Sequence, residues 1–250
     1  MKSLGIVGWS PFNELLIRNL APYSNTTVLV ASRSHKTGKA GGFAEFAPVK
    51  KVLQCDVVIP SIPSQYLPEF LSENAQYINP KALVIDVCSV KVRPVEAMLK
   101  YLPKSVEILA THPLFGPGSA KDSLEGHRIM MHPVRIPSGR YEHIKRRLTF
   151  DFKLKIVETT PEEHDKAIAY VLGLTQSIGR IAQSLEIPKT ELTTTAYDDL
   201  LDMKRIQGTD SWELYESIML QNDFALGTLD SFIESLIELR AKLTASKEVI

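Results

Sequence analysis

Leu4-Gly-Ile-Val-Gly8-Trp-Ser10-Pro-Phe-Asn13 sets the frame for the rest of the chain. Leu4 to Val7 is a short apolar strand, and Phe12, Leu15, Leu16, Ile17 and Leu20 recur at helical spacing over Pro11 to Leu20. Ser10 and Pro11 suit the cap and first position of that helix. Strand, tight turn and helix open a dinucleotide-binding unit, whose turn carries G-x-G-x-x-G. Only the first glycine, Gly8, stands here; Ser10 and Asn13 occupy the other two places. Both are small, and asparagine tolerates positive φ better than most residues. Gly8 and Ser10 are therefore candidate cofactor residues, with an ordinary βα turn as the other reading.

Working outward, Thr27 to Ala31 is a second strand and runs into Ser32-Arg-Ser-His-Lys36. A carboxylate at this place would bind the ribose 2′-hydroxyl of NAD. Two hydroxyls, a guanidinium and an ammonium suit a 2′-phosphate instead. A bound dinucleotide is thus expected to be NADP, held by Arg33 with Ser32 and Ser34. The alternative is a solvated basic loop. A Gly/Ala-rich connection, Lys39 to Phe46, leads to a short helix at Val49 to Leu53 and a strand at Cys55 to Ile59. That strand ends in Pro60-Ser-Ile-Pro-Ser64, where Ser61 either lines the nicotinamide pocket or merely punctuates the chain.

Gln65 to Tyr77 reads as a helix, Ala82 to Val87 as a buried strand, Glu96 to Tyr101 as a helix and Val106 to Ala110 as a further strand. The last two strands end in Cys88-Ser-Val-Lys91 and in Thr111-His-Pro-Leu-Phe-Gly-Pro117. Strands alternating with helices imply a parallel sheet with a common carboxyl edge, where such sheets bind ligands. His112, expected at the lip just past its strand, is of the residue type that exchanges protons near neutral pH. Ser89 is placed to hydrogen-bond an imidazole and fix its tautomer, and Lys91 to meet a carboxylate or phosphate. Nothing marks Cys88 as a thiolate, so it is expected to pack. Strands at His127 to Met131 and Lys153 to Val157, with a helix from Tyr141 to Phe150, complete a Rossmann-like, mostly parallel domain over residues 1–160. His127, His132 and His143 lack metal-ligand spacing, and no metal is expected.

From Thr160 the chain turns helical. Thr160-Pro-Glu-Glu163 is a helix start, and the stretch from Asp165 to Leu185 is apolar nearly all round, as in a core or subunit interface. Gly173 and Gly179 would allow a close partner. Further helices are expected over Glu191–Met203, Asp210–Asn222 and Phe224–Ala245. Residues 161–250 thus form an all-helical substrate and dimerisation domain, and a homodimer is expected because symmetric dimers are the commonest oligomers. Glu163-His-Asp165 opens the first of these helices, where an anion or a capping cluster belongs. Arg205, expected between helices, would clamp a substrate carboxylate or serve a helix C-terminus.

Composition narrows the class. The 250 residues carry 29 basic and 29 acidic side chains, so neither a nucleic-acid surface nor an acidic tail is expected. No apolar run approaches the ~20 residues of a membrane span, and Met1 to Gly8 lacks a signal peptide's long apolar region. Two cysteines fit a reduced, cytoplasmic protein.

Asp86-Val-Cys-Ser-Val-Lys91, Thr111-His-Pro-Leu-Phe-Gly-Pro117 and Glu163-His-Asp165, in this order, resemble the prephenate/arogenate dehydrogenases of tyrosine synthesis. The resemblance covers nearly the whole chain, and Val30-Ala-Ser-Arg-Ser34 is similar to the NADP-using, arogenate-type branch. It implies oxidative decarboxylation of a small-molecule substrate, arogenate or prephenate. His112 would take the proton of the C4 hydroxyl as hydride leaves for the nicotinamide, and Ser89 would orient His112 and that hydroxyl. Arg205 would bind a substrate carboxylate, and Asp165 the ammonium that distinguishes arogenate. Gln176 stands where many members carry a second active-site histidine; it hydrogen-bonds but does not titrate. Two other readings stay open. One is another NADP oxidoreductase of Rossmann-plus-helical-dimer form. The other is a catalytically impaired relative that binds a metabolite and regulates.

Overall fold

Leu4, Ile6, Val28 and Val30 pack on one side of a sheet, while Val7, Leu29 and Ala31 pack on the other. Side chains alternate along a strand, so a strand that is apolar throughout must be covered on both faces. The computed structural model describes residues 3–20, 26–35, 37–120, 123–207 and 211–247. Two compact units divide the chain, Met1–His164 and Asp165–Ile250.

The first unit is an eight-stranded sheet. Its strands are β1 (Ser3–Val7), β2 (Thr27–Ala31), β3 (Glu45–Phe46), β4 (Val57–Pro60), β5 (Leu83–Asp86), β6 (Glu107–Pro113), β7 (Arg128–Arg135) and β8 (Lys155–Glu158). The spatial order is β3-β2-β1-β4-β5-β6-β7-β8, the doubly wound arrangement with its switch point between β1 and β4. Every neighbouring pair is parallel except β6 and β7. Helices α1 (Pro11–Leu20), α2 (Val49–Val52), α3 (Leu67–Asn74), α4 (Val92–Tyr101) and α5 (Ser138–Phe150) fill the connections. α1 follows its cap as expected, with the Ser10 carbonyl accepting from the Asn13 and Glu14 amides.

Several boundaries differ from the sequence reading. The helix expected over Gln65–Tyr77 is α3 flanked by single 3-10 turns at Ser64–Tyr66 and Ala75–Tyr77. α4 starts at Val92, before the expected Glu96, because Pro94 sits in its first turn, where its missing N–H is not needed. Most consequentially, β6 does not end at Ala110. Thr111, His112 and Pro113 remain in the strand, paired with Met131, Met130 and Ile129 of β7. β5 pairs only as far as Ala110, so these residues overhang the carboxyl end of β5.

α6 (Pro161–Ile168) crosses the boundary between the units. Its cap is the expected threonine, Thr160 Oγ1 accepting from the Glu163 amide at 3.2 Å. The helix expected over Asp165–Leu185 is broken by a π-helical stretch at Ala169–Leu174 before α7 (Thr175–Ser184). Gly173 lies in that stretch, and a Cβ there would meet Met219 Sδ at 3.4 Å and Ala225 Cβ at 3.6 Å. The second unit continues with α8 (Thr195–Gln207), α9 (Trp212–Gln221) and α10 (Ala225–Lys247). The expected start at Asp210 lies outside the described residues. α9 instead has Ser211 as its cap, accepting from the Leu214 amide at 3.1 Å. The buried apolar cluster here is small, Ala169, Met219 and Ala225. The apolar positions expected to be covered are largely exposed, including Val171 at 57% and Ile237 at 64%. Among the described residues, no helix is long and apolar enough to cross a membrane.

Candidate active site

The switch point is built around Gly8. Its φ is +108°, and a Cβ would stand 2.1 Å from the Ser61 carbonyl oxygen, so only glycine fits. The Gly8 amide donates to Ala31 O at 2.9 Å and the Ser61 amide to Val7 O at 2.7 Å, which stitches the ends of β1, β2 and β4 together. Asn13 is fully buried and its Nδ2 donates to Gly8 O at 3.0 Å. A side-chain amide thus holds the corner that the third glycine holds in the full fingerprint. These features fit a dinucleotide: a glycine at the turn after β1, Ser10 at the N-terminus of α1, and the switch point between β1 and β4.

Beyond β2, Ser32 Oγ accepts from the Ser34 and His35 amides at 3.2 and 3.3 Å and so ties the loop. Ser34 Oγ lies 3.1 Å from Ser32 Oγ and 2.9 Å from His35 Nδ1. The His35 ring stacks on Phe46, with centroids 5.0 Å apart. Arg33 and Ser34 are exposed and Ser32 half-buried. Lys36 lies outside the described residues.

His112 occupies the β6 overhang and is 5% exposed. The backbone beside it is clamped twice. Thr111 Oγ1 donates to Asp86 O at 2.5 Å, and Lys91 Nζ donates to Thr111 O at 2.6 Å. His112 Nδ1 stands 2.9 Å from Nε2 of His164, which is 4% exposed. The two rings meet edge to face, with centroids 5.1 Å apart. Among the described residues this is the only hydrogen bond of the His112 ring, which leaves Nε2 for a ligand. Burial, then the Lys91 ammonium, then His164 hold the imidazole well below its ordinary pKa. His112 is therefore neutral at neutral pH, as a proton acceptor must be. Cys88 shows the reverse effect. Burial, then the Asp86 carboxylate, push its thiol well above the ordinary range, so it stays protonated and packs.

Two expectations need correction. Lys91 was expected to meet a ligand's carboxylate or phosphate, but its side chain is fully buried in an ion pair with Asp86. A lysine this deep is tolerated only with a partner, and Asp86 also fixes the turn by accepting from the Cys88 amide at 2.8 Å. Ser89, half-buried past β5, was expected to fix the imidazole's tautomer. The ring's partner is His164 instead. In the sequence His164 stands only as part of Glu163-His-Asp165, read as an anion site or a capping cluster, with no role of its own. The companion that gives it meaning is 52 residues away.

The remaining candidates belong to the second unit. Asp165 is 1% exposed, and its carbonyl accepts from Asn222 Nδ2 at 2.7 Å. Gln176 is 2% exposed on α7. Arg205 is not between helices but in the last turn of α8, exposed and paired with Asp202 at 3.2 Å. Among the described residues, no group of three or more His, Cys, Asp or Glu side chains is placed to hold a metal ion.

Comparison with known proteins agrees with this geometry. The profile described as "Prephenate dehydrogenase, nucleotide-binding domain" matches residues 23–149, and a TYRAAT1-like C-terminal domain profile matches residues 181–249. Arogenate dehydrogenase 2, chloroplastic, of Arabidopsis thaliana is 34% identical over 62% of this chain and 44% of its own. Arogenate dehydrogenase 1, chloroplastic, of the same plant is 28% identical over 96% of this chain and 39% of its own. The chain thus spans about two fifths of the length of these curated relatives, 44% and 39%. The crystal structure of prephenate dehydrogenase from Aquifex aeolicus shares the fold at 18% identity, with a TM-score of 0.74 over 99% of this chain and 94% of that one. With the nucleotide-binding profile covering half its residues on a doubly wound sheet, this chain belongs to the prephenate/arogenate dehydrogenase family.

Proposed function

We propose that the chain oxidatively decarboxylates arogenate, or prephenate, with hydride transfer to NADP. The observation that carries this reading is His112: a buried imidazole, held neutral, with its Nε2 unused by the protein and its ring at the carboxyl edge of the sheet. His112 Nε2 takes the proton of the substrate's C4 hydroxyl, and a carbonyl forms at C4 as that carbon gives up hydride. The bond from the ring to its carboxylate then breaks, CO2 leaves, and the electron pair completes an aromatic ring. The bound nicotinamide supplies the hydride acceptor. Gly8, Ser10 and Ser61 hold the dinucleotide at the switch point. Ser89 hydrogen-bonds the substrate hydroxyl. The two free cysteines, Cys55 and Cys88, are buried, in keeping with a cytoplasmic protein.

NADP preference rests on the loop after β2, where Arg33 is exposed and the Ser32 hydroxyl organises the backbone. A charge-assisted hydrogen bond to a phosphate contributes ~1.5–3 kcal/mol. Arg33→Ala is expected to raise KM for NADP by about ten- to a hundredfold with little change for NAD. Steady-state kinetics with both cofactors measure this, and an equal change for both would remove the clamp.

The exposed apolar face of the helical unit supports a homodimer. On α10, Leu226, Ile233, Leu236, Ile237 and Leu243 are 49%, 45%, 48%, 64% and 65% exposed. Apolar positions this dense on one helix mark an interaction surface. Sedimentation of the wild type should give a dimer, and Ile237→Asp a folded monomer; a wild-type monomer at micromolar concentration would refute this.

A metabolite-binding regulator is the second reading. It is favoured by the turn in which Ser10 and the buried Asn13 replace glycines. Binding of NADP and substrate without turnover would select it.

A further inference from the structure

His112 and His164 share one hydrogen bond between two buried imidazoles that meet edge to face at 71°, so the bond has only two neutral arrangements. In one, His164 donates from Nε2 to His112 Nδ1; the proton of His112 is then on Nε2, and that nitrogen accepts nothing. In the other, His112 donates from Nδ1 to His164 Nε2, and the lone pair of His112 sits on Nε2. A ring nitrogen's role is set by the bond its twin makes.

We propose that His164 is the positioning residue of His112, accepting its Nδ1–H and so presenting the Nε2 lone pair to the substrate hydroxyl. This rests on the reading of His112 as the base. Several features of the fold support the assignment. His164 sits in the fourth position of α6, which fixes its backbone where Nε2 reaches His112 Nδ1 at 2.9 Å. The Lys91 ammonium, although paired with the Asp86 carboxylate, also disfavours a positive charge on His112. No carboxylate bonds to His112 Nδ1; its partner is the His164 ring. After proton uptake the bond becomes charge-assisted and steadies the imidazolium. The aspartate of a Ser-His-Asp triad orients its histidine by the same bond, with a formal charge that is missing here. The backbone clamps on Thr111 fix the strand, but they leave the ring free to turn about its side-chain torsions. His164 removes that freedom.

The test combines a tautomer measurement on the full chain with kinetics. Nitrogen-15 NMR of histidine-labelled protein, without cofactor or substrate, reads which nitrogen of His112 carries the proton. His112→Asn serves to assign the signal. The wild type should show protonated Nδ1. His164→Ala should shift His112 to protonated Nε2 and lower kcat by about a hundredfold with KM for NADP unchanged. His164→Gln offers an acceptor oxygen near the same place and should restore both the tautomer and most of kcat. Protonated Nε2 in the wild type would overturn the proposal. So would a His164→Ala variant that keeps protonated Nδ1, or a loss of kcat in which Gln is no better than Ala. A wild type with protonated Nδ1 that turns over no substrate would retain the His164 assignment and refute the reading of His112 as the base.

Discussion

Replacing His112 with asparagine lowers kcat by about a hundred- to ten-thousandfold, the usual worth of a general base. Asparagine keeps a polar side chain of similar reach and removes the titrating nitrogen, so the backbone clamps on Thr111 survive. KM for NADP should not move, because the candidate cofactor residues lie at the ends of β1, β2 and β4 and His112 on β6. The wild-type rate should carry its own signature. Burial, Lys91 and His164 lower the pKa of His112, so the acid limb of kcat/KM falls well below the ordinary imidazole value of about 6.5. The same sign holds for stability. The unfolded chain binds a proton at His112 before the folded one does, so His112 contributes stability above about pH 6.5 that is lost as pH falls. An asparagine variant within about tenfold of the wild type would remove His112 from the chemistry.

The largest effect on stability is expected at Lys91. Its ammonium and the Asp86 carboxylate are both fully buried, and removing one member of such a pair costs ~3–5 kcal/mol because the other charge is left uncompensated. Lys91→Met should lose that amount in urea unfolding. Asp86→Asn combined with Lys91→Met should recover more than half, since no isolated charge remains and asparagine keeps an acceptor for the Cys88 amide. The double variant has a second consequence. The cation that helps depress His112 is gone, so the acid limb of the rate profile should move up in pH. A single Lys91→Met variant that loses less than ~1 kcal/mol would show that the pair is not what holds this end of the sheet.

The local parts of the fold were legible because their signals are local. Continuous apolar runs placed β1, β2 and β5, and Ser10 and Thr160 marked the starts of α1 and α6. Pro113 misled, since proline reads as a strand breaker. It is tolerated here because Thr111, His112 and Pro113 extend past β5 and face only β7, where a missing N–H is harmless. The antiparallel β7 carries its own sequence signal: no helical pattern separates β6 from β7, and a parallel return needs a crossover. Lys91 was misread because a lysine after a strand is usually solvated. Its burial depends on the chain turning back on Asp86, which composition does not reveal. His164 was missed for the same reason on a longer scale: the pairing of two histidines 52 residues apart is a property of the sheet. In the tail, periodicity located the helices, but an apolar stripe does not say what covers it.

Hydride transfer from arogenate or prephenate to NADP, with His112 as the base, is the proposed activity. The direct measurement is absorbance at about 340 nm, the NADPH band, with purified wild type, NADP and either substrate, and His112→Asn in parallel. A steady rise is expected with the wild type, with CO2 released in equal amount, and almost none with the variant. A folded wild type that binds NADP yet produces no NADPH from either substrate would contradict it.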